Sequence, residues 1–278
     1  MTGIRLVISD VDGTLVTTDK TLTANSRAAI ARLAAAGIGF SVISSRPPFG
    51  LRSLAAELGL RLPFGAFNGG ALVLPDFTLV DQHVLSREAA VGAVTTFRAS
   101  GVDVWAFTAD RWILDNPQAP YVDLETRTIG SEPSLVDRLE GHLDGVMKVI
   151  GVSDNFGKLD ACEPVLRRML GEQATVARSQ RYYLDVTPPG VDKGTCVAAI
   201  RRRTGVTMPE IATLGDMEND IPMFRQSGFS IAMGNASLAV KQCAVTSTRS
   251  NDEDGVAAAI DDLILTRATN DTADLKER

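Results

Sequence analysis

Four short stretches of this 278-residue sequence carry side chains able to do chemistry together. Asp10-Val11-Asp12-Gly13-Thr14 places two carboxylates two residues apart, and Ser44-Ser45-Arg46 offers hydroxyls and a guanidinium. Asp192-Lys193-Gly194 brings an ammonium, and Gly215-Asp216-Met217-Glu218-Asn219-Asp220 a second acidic cluster. Spaced by two at the end of a strand, Asp10 and Asp12 are expected to point to the same side. Carboxylates that close repel unless one holds a proton or a cation sits between them. Asp216, from a neighbouring strand, would complete the oxygen set that Mg²⁺ takes, few protein carboxylates and several waters. Ser44, Ser45 and Lys193 form the complementary half, since hydroxyls, amides at a helix start and an ammonium neutralise phosphate oxygens. Gly194 would let a ligand approach the backbone there. Singly, each group has an ordinary reading: a solvated turn for the Asp pair, a helix cap for Ser44, a surface lysine for Lys193. Together they sit at strand or helix ends, where open α/β sheets bind ligands.

The elements that must position these groups follow from the apolar pattern. Ile4–Ser9 is an almost continuous apolar run, as a strand covered on both faces requires. Thr23 can cap a helix bearing Ile30, Leu33 and Ala34, which Gly37 stops. Residues 38–44 read as a second buried strand, Pro47 and Pro48 suit the first turn of a helix that Gly59 ends, and a third strand lies near Gly65–Phe67. That alternation predicts a parallel sheet with helices on its faces. The middle third differs. Val102–Phe107 and Arg111–Asp115 flank a hairpin turn, and strands at Met147–Val152 and Tyr182–Val186 enclose a helix with Leu159, Val165, Leu166 and Met169. The last third returns to βα style, with strands at Ile211–Leu214 and Phe229–Ala232 and helices at Asn219–Gln226 and Asp252–Leu265, the latter with Val256, Ile260, Leu263 and Ile264 inward. The polar tail from Thr266 is expected to fray. The fold class expected is α/β, a Rossmann-like three-layer core with a parallel sheet, plus an inserted α+β domain. The core would comprise residues 1–83 and 188–278, and the insert residues 84–187.

Composition narrows the function. Lys and Arg number 28 against 34 Asp and Glu, for a net charge of −6. This argues against nucleic-acid or anionic-membrane partners but leaves room for a local anion site. Two histidines, His83 and His142, leave little scope for histidine-based metal chemistry. Cys162, Cys196 and Cys243 are odd in number and lack metal-site spacing, which suits a reducing compartment. With no signal peptide and no apolar run near the roughly 18 residues a membrane helix needs, a soluble cytoplasmic protein is expected. P-loop, dinucleotide and Ser-hydrolase motifs are absent.

The set DVDGTL (10–15), SSR (44–46), DKG (192–194) and GDMENDIPM (215–223) resembles the four motifs of the haloacid dehalogenase superfamily. Their order, with a long insert between the second and third, is similar to the Cof-type Mg²⁺-dependent phosphatases with an α/β cap. Asn68-Gly69-Gly70, Met233-Gly234-Asn235-Ala236 and Asp254-Gly255-Val256-Ala257 resemble further loops of that branch. The resemblance implies that Asp10 is the nucleophile forming an aspartyl-phosphate and Asp12 the general acid and base. Mg²⁺ would be held by Asp10, Asp216 and the backbone carbonyl of Asp12. Ser44, Ser45, Arg46, Lys193 and Asn219 would bind the phosphorylated substrate, with Asp220 orienting Lys193 or metal-bound water. Ser44-Ser45-Arg46 departs from the Thr-Gly-Arg common in the family, keeping the hydroxyl but crowding the backbone at Ser45.

The implied activity is hydrolysis of a small phosphorylated metabolite, a sugar phosphate or a phosphorylated cofactor, by a monomer or homodimer. A phosphotransferase or phosphomutase on the same aspartyl-phosphate is the alternative, and a non-turnover phospho-Asp receiver a more distant one. The insert would act as a cap over the site. Its Trp105, Arg111, Trp112, Tyr121, Arg178, Arg181 and Tyr182 could contact a ligand, though most are expected to serve packing or solvation.

Overall fold

The strand expected at the start of the chain is covered on both faces, and its alternating side chains feed two separate clusters. Val7 packs with Ala29, Leu33 and Ile260, whereas Leu6 and Ile8 pack with Val197, Ile200 and Met223. The computed structural model describes residues 3–266. In chain order its elements begin with β1 (Leu6–Ser9), α1 (Ala24–Ala35), β2 (Gly39–Val42), α2 (Arg52–Leu58), β3 (Phe64–Ala66), β4 (Ala71–Val73) and β5 (Leu79–Gln82). They continue with α3 (Arg87–Ala99), β6 (Asp103–Phe107), β7 (Trp112–Leu114), α4 (Val122–Ile129), β8 (Ser134–Leu135), β9 (Lys148–Val152), α5 (Phe156–Leu170), β10 (Thr175–Gln180) and β11 (Tyr183–Thr187). Last come α6 (Lys193–Thr204), β12 (Ile211–Gly215), α7 (Ile221–Phe224), β13 (Phe229–Ala232), α8 (Leu238–Gln242), β14 (Thr246–Ser247) and α9 (Gly255–Ala258).

A five-stranded parallel sheet, in the order β14-β13-β12-β1-β2, forms the centre of the fold. β1 is its middle strand, so the segment after Ser9 emerges between the ends of β2 and β12. α1 starts where Thr23 accepts a hydrogen bond from the Ser26 amide, satisfying a donor the helix itself cannot. The Thr23 hydroxyl in turn donates to Asp254, just before α9.

A second sheet of six strands, in the order β10-β11-β9-β6-β7-β8, is antiparallel except at β7–β8. All its strands fall between residues 103 and 187. The strand period of two divides its side chains cleanly. Val104, Ala106, Val149 and Leu184 lie under α3 and α5, whereas Trp105, Phe107, Ile150 and Tyr183 turn toward the central sheet and join Phe64 and Phe67. The rings of Phe67 and Phe107 meet edge-on at 6.3 Å. An aromatic face is thus laid beside the strand ends that carry the motifs. Among the described residues no helix is long and apolar enough to cross a membrane.

Several sequence expectations shift. β3 does not join the parallel sheet as a full strand; it touches it through one bridge, Ile43–Gly65, and pairs antiparallel with β4. The cause is the turn after it, where Phe67, Asn68 and Gly69 all take positive φ and send the chain back. On α5 the buried stripe is Leu159, Cys162, Leu166 and Leu170, leaving Val165 and Met169 exposed. The helix expected at 219–226 is a 3₁₀ turn followed by the four-residue α7. The one expected from Asp252 is interrupted at Asp254, whose φ is 56°, and continues beyond α9 as π-helix over Ala259–Leu265. Its inward side chains are Val256, Ile260 and Ile264, with Leu263 only half-buried. The tail beyond Thr266 lies outside the described residues.

Gly151, in β9, is where α3 comes closest to the six-stranded sheet: a methyl there would overlap the Phe97 ring. Overpacking of this kind costs about 1–3 kcal/mol. Gly151→Ala should lower the urea midpoint accordingly without changing the slope of the transition, and an unaltered midpoint would contradict this packing.

Candidate active site

Lys193 is the first residue of α6, held there by a capping box between Asp192 and Thr195. Its side chain is 1% exposed. The ammonium donates to Asp10 Oδ1 at 2.6 Å and to Asp220 Oδ1 at 2.5 Å. The other oxygen of Asp220 accepts from the amides of Asp216 and Met217, at 2.8 and 2.9 Å. Gly215 makes this possible, since a Cβ at that position would occupy the space of the Asp220 carboxylate. Lys193 and Asp220 therefore fix the turn that carries Asp216. The Asp216 Oδ1 accepts the Thr14 hydroxyl at 2.8 Å, and Asn235 spans Gly13 O and Asp216 Oδ2 at 2.9 and 3.4 Å.

Asp10, Asp216 and Asp220 each bring a carboxylate oxygen within 4.8 Å of the others. Burial raises the Asp10 carboxyl well above the usual carboxylate range against the pull of Lys193, and the charges of Asp220 and Asp216 add to the rise. Burial and the neighbouring Asp220 push Asp216 up to about 7. Burial opposes the charge on Lys193, but Asp10 and Asp220 outweigh it and hold the ammonium above its ordinary value. Such a crowd of hard oxygens is the donor set a hard divalent cation takes. Asp220 accepts three hydrogen bonds of 2.5–2.9 Å, whereas Asp10 is bonded through Oδ1 and Asp216 Oδ2 has only the long 3.4 Å contact from Asn235, so Asp10 and Asp216 are the residues with an oxygen to give.

Asp12 goes elsewhere. β1 ends at Ser9 and the chain turns at once, so strand alternation no longer governs residue 12 and the expected same-side pair does not form. Arg46 grips Asp12 with two hydrogen bonds of 2.8 Å from Nε and Nη2, and Lys20 adds an ion pair at 2.9 Å. Although burial opposes the charge, Arg46 and then Lys20 hold the Asp12 carboxyl well below the usual range. The side chain of Asp12 is thus no member of the carboxylate cluster. Arg46 also donates through Nη1 to Thr128 O, at the end of α4, at 2.9 Å.

Ser44 is fully buried and caps no helix; its oxygen accepts the Arg46 amide at 3.1 Å and so shapes the turn that aims the guanidinium. Ser45 contributes its carbonyl, which accepts from Lys148 Nζ at 2.9 Å. Gly194 is needed for packing rather than for a ligand, because a Cβ there would strike the Pro222 carbonyl. Asn219 donates to Asn68 Oδ1 at 3.2 Å, and its own Oδ1 is buried without a partner.

Two cavities flank this centre. One, of about 20 Å³, is lined by Asp12, Lys20, Arg46, Glu125, Lys148 and Tyr182, with space for a single water. The other, of about 500 Å³, runs between the second sheet and the central one, past Asn68, Ala177, Arg178, Asp185, Lys193 and Asn219. Of the aromatics named as able to contact a ligand, Trp105 and Trp112 are buried in the core, and Tyr182 reaches the smaller cavity, stacked on Tyr121 at 4.2 Å. Arg111 is exposed, Arg181 lies over Phe156 at 4.8 Å, and Arg178 pairs with Asp160 and Glu163. Lys20, Glu125, Lys148 and Asp185 escaped the sequence reading, for no motif marks them, and Thr14 lay within the first motif without a role assigned.

A family model for haloacid dehalogenase-like hydrolases matches residues 7–260. The 5-amino-6-(5-phospho-D-ribitylamino)uracil phosphatase of Bacillus subtilis (strain 168) is 25% identical, over 94% of this chain and 98% of its own length. The HMP-PP phosphatase of Cronobacter sakazakii (strain ATCC BAA-894) is 28% identical, over 84% of this chain and 85% of its own. A solved haloacid dehalogenase-like hydrolase from Bacteroides thetaiotaomicron superposes with a TM-score of 0.84 at 29% identity, over 94% of this chain and 99% of that one. The chain belongs to the haloacid dehalogenase-like hydrolases and, within them, to the Cof-type phosphatases that its motifs resemble.

Proposed function

We propose that this phosphatase hydrolyses a small phosphorylated metabolite, a sugar phosphate or a phosphorylated cofactor, through an aspartyl-phosphate on Asp10. The observation that carries the reading is the buried Asp10 carboxylate, bonded to Lys193 on one oxygen and set against Asp216. The Bacillus and Cronobacter relatives, both named for small phosphorylated substrates, support the substrate class. Asp10 and Asp216 would hold Mg²⁺, with the Asp12 carbonyl added by the family resemblance. When bound, the ion neutralises charge on the phosphoryl oxygens and polarises them.

In the first half-reaction a free oxygen of Asp10 attacks phosphorus, the bond from phosphorus to the leaving oxygen breaks, and Asp12 passes that oxygen a proton. In the second, water attacks the phosphoryl group, gives its proton to Asp12, and the bond to Asp10 breaks. Lys193, Ser44 and Asn219 bind phosphoryl oxygens, which places positive charge and donors where the in-line transition state is most negative. With Arg46 and Lys20 upon it, Asp12 is a carboxylate, the form the second half needs. The acid half therefore requires Asp12 to take up its proton before Arg46 closes on it. The segment 84–187 acts as the cap, and Arg46 and Lys148 hold it closed through Thr128 O and Ser45 O.

Phosphate release from p-nitrophenyl phosphate, with Mg²⁺ and with a chelator, tests the scheme. The wild type should lose activity in the chelator, and Asp10→Asn should have none, so turnover by that variant would remove Asp10 from the nucleophile role. Asp12→Ala should slow turnover by ~10²–10⁴, the usual worth of general acid–base help. Gly13 has φ +86°, and a Cβ there would press into the Asp216 carboxylate. Gly13→Ala should weaken Mg²⁺ binding, read by isothermal titration, and a variant that binds the ion as the wild type does would argue against Asp216 as a ligand.

A further inference from the structure

Lys148 and Asp185 belong to no motif, and apart from the bond of Lys148 to Ser45 O neither takes part in the scheme above, yet both are almost fully buried at the boundary between cap and core. They pair through Lys148 Nζ and Asp185 Oδ2 at 3.3 Å. Lys148 spends a second proton on Ser45 O, and its ammonium lies 5.5 and 5.9 Å from the ring centres of Phe107 and Phe67. Asp185 Oδ1 has no hydrogen-bond partner although it is shut away from solvent. A buried carboxylate oxygen without a donor is costly, and such atoms are rare in native proteins. Asp185 also lines the 500 Å³ cavity that reaches Lys193, and that cavity's opposite wall holds a second unpartnered acceptor, Asn219 Oδ1.

We propose that Asp185, held in place by Lys148, recognises the leaving group, which is a neutral, polyhydroxylated moiety of the sugar or polyol class. The inference rests on the phosphatase reading of the neighbouring centre. One hydroxyl can give its proton to Asp185 Oδ1 and another of the same moiety to Asn219 Oδ1, since both residues line this cavity. The ion pair has no net charge, and the two arginines lining the cavity are engaged, Arg167 with Glu163 and Arg178 with Asp160 and Glu163. Among the described residues lining the cavity, an acidic leaving group therefore finds no unpaired cation beyond the phosphate site, and it meets the oxygen of Asp185. An aryl or alkyl group leaves that oxygen as unpaired as before. Sites built to bond a hydroxyl discriminate strongly against analogues that lack one.

The test compares kcat/KM for D-sorbitol 6-phosphate, 3-phosphoglycerate and p-nitrophenyl phosphate, with Mg²⁺ present. The wild type should prefer the polyol phosphate to the glycerate. Asp185→Asn should lower kcat/KM for the polyol phosphate by about tenfold or more, mainly through KM, while aryl phosphate turnover stays within about threefold. Ala177→Leu, which fills the cavity and leaves both charges in place, should reproduce the selective loss and decides the matter should Asp185→Asn fail to fold. An equal fall for both substrates, an unchanged ratio, or a preference for the glycerate overturns the assignment. A wild type that hydrolyses aryl phosphate but not polyol phosphate overturns it alone. Silence on all three substrates overturns the phosphatase reading, and the role of Asp185 with it.

Discussion

One buried ammonium organises the carboxylate cluster. Lys193 sits between Asp10 and Asp220, and through Asp220 it also holds the turn bearing Asp216. Three strand or helix ends, far apart in the sequence, are fixed relative to one another by a single side chain. Ion pairs of this kind offer little net stability, because desolvation cancels much of the attraction. Losing one partner is another matter, since it strands the remaining charges and costs about 3–5 kcal/mol. The centre is thus mutually dependent: the lysine stays charged because Asp10 and Asp220 flank it, and it offsets part of what burial costs Asp10.

A second polar layer joins the two sheets. Arg46 divides its guanidinium between Asp12, just beyond β1, and Thr128 O in α4, while Lys148 reaches from the start of β9 to Ser45 O. The contact between the modules combines these directed bonds with the edge-on rings of Phe67 and Phe107. Directed bonds fix orientation, and the rings supply area that water must leave. Because Arg46 bonds both, the charge on Asp12 and the position of α4 are linked through one group.

The parts of this arrangement that were legible in the sequence are those governed by local rules. The apolar run of β1, the Thr23 cap of α1, the strand-end positions of Asp10, Ser44 and Asp216 and the helix-start position of Lys193 could be read from spacing and composition, and the structure gathers Asp10, Lys193 and Asp216 into one cluster. The direction of Asp12 could not, because strand periodicity stops at Ser9 and the turn beyond it answers to Arg46 and Lys20. Gly194 invited a ligand-based reading, whereas its real constraint is the carbonyl of Pro222, a contact between distant segments. Lys148 and Asp185 lie 37 residues apart, and only the pairing of β9 with β11 makes neighbours of them. A lysine at the edge of an apolar run carries no local sign of its partner.

The central position of β1 has a consequence for the order in which the protein is made. Its neighbour β2 is available within about 30 residues of synthesis, but its other neighbour, β12, begins only at Ile211. Every strand of the six-stranded sheet leaves the ribosome in that interval. The pairings of that sheet are therefore contiguous in time, whereas β1, which ends beside Asp10, must keep one edge open until the whole six-stranded sheet has been synthesised. The cluster of Asp10, Lys193, Asp216 and Asp220 cannot close before the chain has reached residue 220.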